Sequence, residues 1–158
     1  MVIYFGADHG GFELKEKLKV FAQSKGYEVV DVGATAYDEK DDYPDFAGVV
    51  GKKVSLAPDQ ARGILLCRNG AGVNIAANKF PHVRCVLGFS SDQVYDARHD
   101  DDVNVLSIPA DFVDEPTAQK LAEVFLATPF AKEEERFVRR LNKLAAIEED
   151  VARPNNAE

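Results

Sequence analysis

Cys67 ends the apolar run Gly63-Ile64-Leu65-Leu66 and is followed at once by Arg68-Asn69-Gly70-Ala71-Gly72-Val73-Asn74. A thiol between a strand and a helix N-terminus has its anionic form favoured, and a thiolate can take a proton from carbon. Gly70 and Gly72 let successive backbone amides approach a ligand oxygen, which stabilises a developing enediolate as an oxyanion hole does. The chemistry on offer is proton abstraction beside a carbonyl. The same residues also suit a cysteine that fills core beneath a strand-to-helix turn, and spacing alone does not choose between the two.

Three other groups bear on chemistry. Gly6-Ala7-Asp8-His9-Gly10-Gly11 lies between an apolar run and an amphipathic stretch, a place suited to an anion and equally to a plain tight turn. Asp96-Ala97-Arg98-His99-Asp100-Asp101-Asp102 offers carboxylates and an imidazole for proton transfer or a divalent ion. Its spacing matches no strong metal motif, and we expect a solvated, charged connection with no metal bound. Arg136, Arg139 and Arg140 suit a phosphate clamp or an ordinary solvated helix face. Cys85 has no such loop beside it and reads as structural.

These groups need elements to hold them. Apolar, β-branched runs at 2–5, 28–32, 63–67, 83–89 and 103–108 read as five strands. Phe12, Leu14, Leu18, Phe21 and Ala22 mark one helical face between them, and Ala118, Leu121, Ala122 and Phe125 mark another. Pro44 and Pro116 suit first turns of further helices. Strands alternating with helices imply a parallel sheet covered on both faces, a three-layer α/β/α sandwich whose ligands sit beyond the carboxyl ends of the strands. A charged helix is expected over 133–144, with Phe137, Leu141 and Leu144 as its stripe and Glu133 to Glu135 at its start; it could cover another subunit. One domain over 1–150 and a polar tail over 151–158 complete the expectation.

The bulk properties narrow the partners. A chain of 158 residues with 46% hydrophobic content suits one globular domain. A formal charge of -8 argues against nucleic acid and anionic membrane as partners. Small phosphorylated molecules, which need only a few local cations, remain. The N-terminus does not read as a signal peptide, no stretch approaches a membrane span, and two cysteines in apolar runs suit a reducing compartment, so a cytoplasmic location is expected.

Taken together, GADHGG at 6–11, DYPDFA at 42–47, GILLCRNGAGVNIAANK at 63–79, NVL at 104–106 and ERFVRRLNKL at 135–144 resemble the family of ribose-5-phosphate isomerase B and the galactose-6-phosphate isomerase subunits. The resemblance runs in order to about residue 148. It implies a five-stranded parallel Rossmann-like sheet of order 2-1-3-5-4 with an extra C-terminal helix, in homodimers that can pair into dimers of dimers. It implies active sites built from two subunits and a cofactor-free, metal-free aldose–ketose interconversion of a phosphosugar through a cis-enediol. Carried across residue by residue, Cys67 is the base, the amides of Gly70, Ala71 and Gly72 hold the enediolate oxygen, and Asp8 binds sugar hydroxyls. Tyr43 of DYPDFA joins the substrate-binding set, and His9, Arg136 and Arg140 bind phosphate.

Four departures touch that site. Arg68 and Asn69 replace a small glycine-hydroxyl pair, so Asn69 becomes the donor beside the base and Arg68 points either to ligand or to solvent. Asp100 stands where a ring-opening histidine belongs and Asp101 where an asparagine belongs, with His99 one position early; either His99 or Asp100 opens the ring. Pro109-Ala110-Asp111 replaces a segment that usually carries a phosphate-side arginine, and Phe137 replaces a histidine. A non-catalytic phosphosugar-binding or regulatory subunit is the alternative these departures raise.

Overall fold

Eleven elements alternate along residues 1–152, which the computed structural model describes: β1 (Val2–Ala7), α1 (Phe12–Ser24), β2 (Glu28–Asp31), α2 (Tyr43–Leu56), β3 (Ala61–Cys67), α3 (Ala71–Ala77), β4 (Cys85–Leu87), α4 (Ser91–Asp101), β5 (Val105–Pro109), α5 (Glu115–Ala127) and α6 (Glu135–Ala152). Helices between consecutive strands force those strands to run the same way. All five pair in parallel, in the order β2-β1-β3-β5-β4. The five strands and their order are as the sequence and the resemblance imply.

Period-two alternation splits the core into two layers. Ile64 and Leu66 of β3 pack with Ile3, Phe5, Leu106 and Ile108 against α1, α4 and α5. Leu65 and Cys67 point the other way, against Ala47, Val50 and Val54 of α2 and Val73 and Ala77 of α3. The sheet is thus sandwiched between two helical layers, and Cys67 belongs to the α2–α3 side.

Several boundaries differ from the sequence expectation. β4 is shorter because Arg84 meets the side chain of Asn104: its N–H donates to Asn104 Oδ1 at 2.9 Å, while Asn104 N–H donates to the Arg84 carbonyl at 3.0 Å. A side chain there replaces one rung of the ladder. The 96–102 run is no connection but the second half of α4, capped by Ser90 Oγ accepting the Gln93 N–H at 3.2 Å and ended by Asp102 in left-handed conformation, φ 46°. α6 begins two residues late, leaving Glu133 and Glu134 before it, and it runs on to Ala152 because the apolar spacing continues through Ile147 and Val151. The expected tail from Arg153 onward lies outside the described residues.

One topological fact governs the site. α4 starts beyond the carboxyl end of β4 and returns to the amino end of β5, so its last turn lies at the opposite end of the sheet from Cys67. Arg84, just ahead of β4, confirms this by donating Nε to the carbonyls of Asp101 and Asp102 at 3.2 and 2.9 Å.

Candidate active site

Cys67 is the last residue of β3, 5% exposed, with its side chain in the α2–α3 layer. Its thiol donates to Asn69 Oδ1 at 3.9 Å, and the same oxygen accepts the Ala71 N–H at 3.0 Å. Asn69 therefore caps the loop and contacts the proposed base at once. The Ala71 amide, expected to be open to an enediolate, is already engaged by that carboxamide, so it serves a ligand only when Asn69 turns aside. Gly70 holds the loop in left-handed conformation at φ 73°, where a side chain would be strained, and an added Cβ would come within 2.5 Å of Leu87 Cδ1. At Gly72 the missing side chain makes room for Tyr43, whose ring carbon Cζ would lie 2.7 Å from an added Cβ. Tyr43 thus roofs the cysteine loop from the first turn of α2.

The turn after β1 lies beside this loop because β1 and β3 are neighbours. Asp8 Oδ1 accepts the N–H groups of Gly10 and Gly11 at 3.0 and 3.3 Å and so closes its own turn. Burial pushes the Asp8 carboxyl above its ordinary value, against the lowering charge of His9 and the two backbone donors. His9 donates its backbone N–H to Asp41 Oδ1 at 2.9 Å, and its ring Nδ1 lies 2.7 Å from the same oxygen. That hydrogen bond to Asp41 holds the imidazole pKa above its ordinary value, with the Asp8 carboxylate adding to the shift. Asp8, His9 and Asp41 bring ligand-type atoms within 4.8 Å of one another. In the structure the trio is joined by hydrogen bonds, His9 Nδ1 meeting Asp41 Oδ1 and Asp8 Oδ1 accepting from Gly10 and Gly11.

Arg68 lays its stem along this turn, with Cγ 2.5 Å from where a Cβ at Gly10 would lie, while its side chain stays 67% exposed and its guanidinium meets Asp111 Oδ2 at 3.5 Å. Backbone bonds join the same strand ends, with Ala110 and Asp111 donating to the carbonyls of Cys67 and Arg68 at 3.0 and 2.9 Å. Together His9, Gly10, Tyr37, Arg68, Ala110 and Asp111 line part of a cavity of about 340 Å³. The acidic residue that replaces the missing arginine thus forms an exposed ion pair with the arginine that replaces a glycine.

His99, Asp100, Asp101, Arg136 and Arg140 form a separate group. His99 Nδ1 lies 2.7 Å from Asp100 Oδ1, and its ring stacks on Tyr95 with centroids 5.4 Å apart. Phe137 meets His99 edge-on at 5.9 Å and carries Arg136 and Arg140 over its ring, 4.4 and 5.8 Å from the centroid. Arg98, which the sequence leaves unassigned, is 3% exposed and fixes this end of α4. It donates to the carbonyls of Thr128 and Val103 and to Asp102 Oδ1 at 2.7 Å. No hydrogen bond, ion pair or ring contact joins this group to the Cys67 loop among the described residues, and the cavity beside His9 includes none of its members. Within one chain the expected site residues are therefore split between the two ends of the sheet.

Sequence reasoning missed Asp41, Tyr37 and Tyr95. Asp41 sits in the acidic stretch Asp38-Glu39-Lys40-Asp41-Asp42, which reads as an ordinary polar loop. Its placement follows from strand order alone: β2 lies beside β1, so the connection leaving β2 passes over the turn leaving β1.

Comparison with known proteins adds to this geometry. A family model described as Ribose/Galactose Isomerase matches residues 3–144. A protein of Mycoplasma genitalium named probable ribose-5-phosphate isomerase B is 37% identical over 148 residues, spanning 94% of this chain and 96% of that protein. Ribose-5-phosphate isomerase B of Mycobacterium tuberculosis is 35% identical, spanning 94% of this chain and 90% of its own. Among solved structures, ribose-5-phosphate isomerase B from Mycoplasma genitalium with bound ribulose-5-phosphate superposes with a TM-score of 0.90 at 36% identity, covering 94% of this chain and 97% of that one.

Proposed function

The chain belongs to the ribose/galactose isomerase family, and on that premise we propose that it interconverts ribose 5-phosphate and ribulose 5-phosphate. The observation that carries the reading is Cys67 at the carboxyl end of β3, in contact with Asn69 and flanked by the Asp8–His9 turn and Arg68. A base at that point, with glycine-loop amides and cations within one loop's reach, is what enolisation of a phosphosugar requires.

The reaction moves two hydrogens. Cys67 as thiolate takes the proton from C2 of the open-chain aldose, and the electron pair of that C–H bond forms the C1–C2 double bond of an enediolate as the carbonyl electrons move to O1. The loop donors hold the developing oxyanion. The thiol returns its proton to C1 while the O2 proton passes to O1, leaving the ketose carbonyl at C2. Asp8 orients sugar hydroxyls and His9 holds phosphate. No net redox change occurs and no cofactor is needed.

Ring opening must precede this, and His99, Asp100, Arg136 and Arg140 lie at the wrong end of their own sheet for it. Two copies arranged so that the last turn of α4 and the start of α6 of one approach Cys67 of the other complete the site. The α6 face supports such pairing, since Leu144, Ile147 and Val151 are 46%, 60% and 81% exposed. We assign ring opening to His99, whose Nδ1 is committed to Asp100 and whose Nε2 remains as the working nitrogen. Arg136 and Arg140 then supply the remaining charge for phosphate, and Asp101 contacts the sugar. A homodimer in the cytoplasm, where both thiols stay reduced, is the state this reading needs.

The purified protein is expected to convert ribose 5-phosphate to ribulose 5-phosphate and to sediment as a dimer or larger. Phosphosugar binding without turnover over a panel of pentose and hexose phosphates would replace this reading with a regulatory one. His99→Gln is expected to slow the forward reaction about a hundredfold. Ribulose 5-phosphate has no hydroxyl placed to close a furanose, so its C1 proton should still exchange with deuterated solvent at near wild-type rate. A larger loss in Asp100→Ala than in His99→Gln would transfer the role to the carboxylate.

A further inference from the structure

Asp41 is almost wholly covered, its side chain 11% exposed, and it directs one oxygen at two donors of a single residue. Backbone and ring nitrogens of His9 converge on Oδ1 at 2.9 and 2.7 Å, while Oδ2 is buried with no partner among the described residues. A buried carboxylate oxygen without a donor is costly, so a carboxylate that keeps one must be held by its neighbours. The holding is local: Asp41 N–H donates to the Asp38 carbonyl at 3.1 Å, and Lys40 N–H donates to Asp38 Oδ1 at 3.0 Å. Two residues later Tyr43 begins α2 and covers Gly72. The stretch from Asp38 to Tyr43 therefore ties the His9 turn to the cysteine loop.

We propose that Asp41 is the positioning residue of His9, locking its ring with Nδ1 as an inward donor so that Nε2–H is presented as a cation's donor to the substrate phosphate. This rests on the phosphosugar reading above. Backbone and ring are fixed by the same oxygen, so the imidazole has little freedom to turn, and a carboxylate partner strengthens the remaining N–H as a donor to an anion. Tyr37 meets the His9 ring edge-on with centroids 6.2 Å apart.

The charges facing His9 agree with this role. From its own turn Asp8 favours the imidazolium, and from the β3 loop Arg68 disfavours it. Across the cavity Arg68 is paired with Asp111 at 3.5 Å and Lys17 of α1 with Glu115 of α5 at 3.0 Å, and Glu13 lines the same wall. Beside these exposed pairs, the hydrogen bond from Asp41 is the largest influence on the His9 ring, ahead of the Asp8 charge. The sign follows: a partner that raises the pKa keeps His9 cationic to higher pH, so phosphate affinity persists upward and is lost earlier once the carboxylate is removed.

Asp41→Asn keeps an oxygen able to accept both hydrogen bonds, removes the charge and puts an NH2 group where the unpartnered Oδ2 lies. Three readouts on the full chain test it: NMR titration of the His9 ring, binding of inorganic phosphate, and the KM and kcat profiles for ribose 5-phosphate. The variant is expected to titrate His9 at lower pH than wild type. At about pH 8 phosphate binding should weaken and KM rise about tenfold with kcat within about twofold, and the two proteins should converge near pH 5, where both imidazoles are charged. Superimposable His9 titrations, or a fall in kcat with KM and phosphate binding unchanged, would overturn the proposal. An inactive wild type would count against the isomerase reading alone, because the titration and phosphate binding still decide the role of Asp41.

Discussion

Cys67→Ala is expected to lose about a thousandfold in turnover of ribose 5-phosphate while remaining folded. The size follows if Cys67 is the proposed base that takes the proton from carbon, for which a water molecule is a poor substitute. Folding is little affected, since the change deletes one sulfur from the edge of the α2–α3 core, at a cost of about 1 kcal/mol. The decisive measurement is deuterium incorporation from solvent at C1 of ribulose 5-phosphate, which reports enolisation without ring opening. Exchange should vanish in Cys67→Ala and persist in Cys85→Ala. Burial pushes the Cys85 thiol up to about 12, against the hydrogen bonds from Ser107 and Asn74, so it stays protonated and cannot act as a base near neutrality. Undiminished exchange in Cys67→Ala would remove the assignment and send the search to Asp8.

Phe137→Ala is expected to cost about 3–5 kcal/mol of stability, a large effect for one residue of a peripheral helix. Phe137 is 2% exposed and is the one residue of α6 that the chain buries; the rest of that helix is half-buried or exposed. Its ring meets His99 and underlies both Arg136 and Arg140, so packing, the imidazole and the two guanidinium groups proposed to bind phosphate share one support. Phe137→Leu separates the functions: the apolar volume is mostly kept, so stability should fall by less than about 2 kcal/mol. The arginines lose their aromatic platform, so KM for the phosphosugar should rise more than stability falls. Denaturant unfolding of both variants beside their KM values checks this. A loss below about 1 kcal/mol in Phe137→Ala would mean that α6 is held elsewhere, with the Glu148 carboxylate that accepts the His82 N–H at 2.9 and 3.0 Å as the next anchor to test.

Fold class was legible because its signals are local and repeated. Five β-branched runs separated by helical spacing admit few arrangements, and parallel pairing follows from the crossovers. Boundaries were less legible where a side chain overrides a propensity, as at Asn104, which shortens β4, and at Ser90 and Asp102, which turn an acidic run into helix. The loop at Cys67 was legible too, since the chemistry and its glycines are contiguous. What the loop's residues touch was not: Asn69 engages the Ala71 amide, and Tyr43 occupies the space left by Gly72.

Residue type and order by themselves determined the parallel α/β class, the candidate base and the two candidate groups for phosphate, because each is written in one stretch of chain. Tertiary structure decided how those stretches meet. Strand order brought Asp41 to His9 and Asp111 to Arg68 from 32 and 43 residues away, along the carboxyl edge of the sheet. The return path of α4 carried His99 and Asp100 towards the opposite edge, about 12–14 Å along the helix from where it begins. A contact between distant segments depends on which strands are neighbours and which way each helix runs, and no local pattern encodes either.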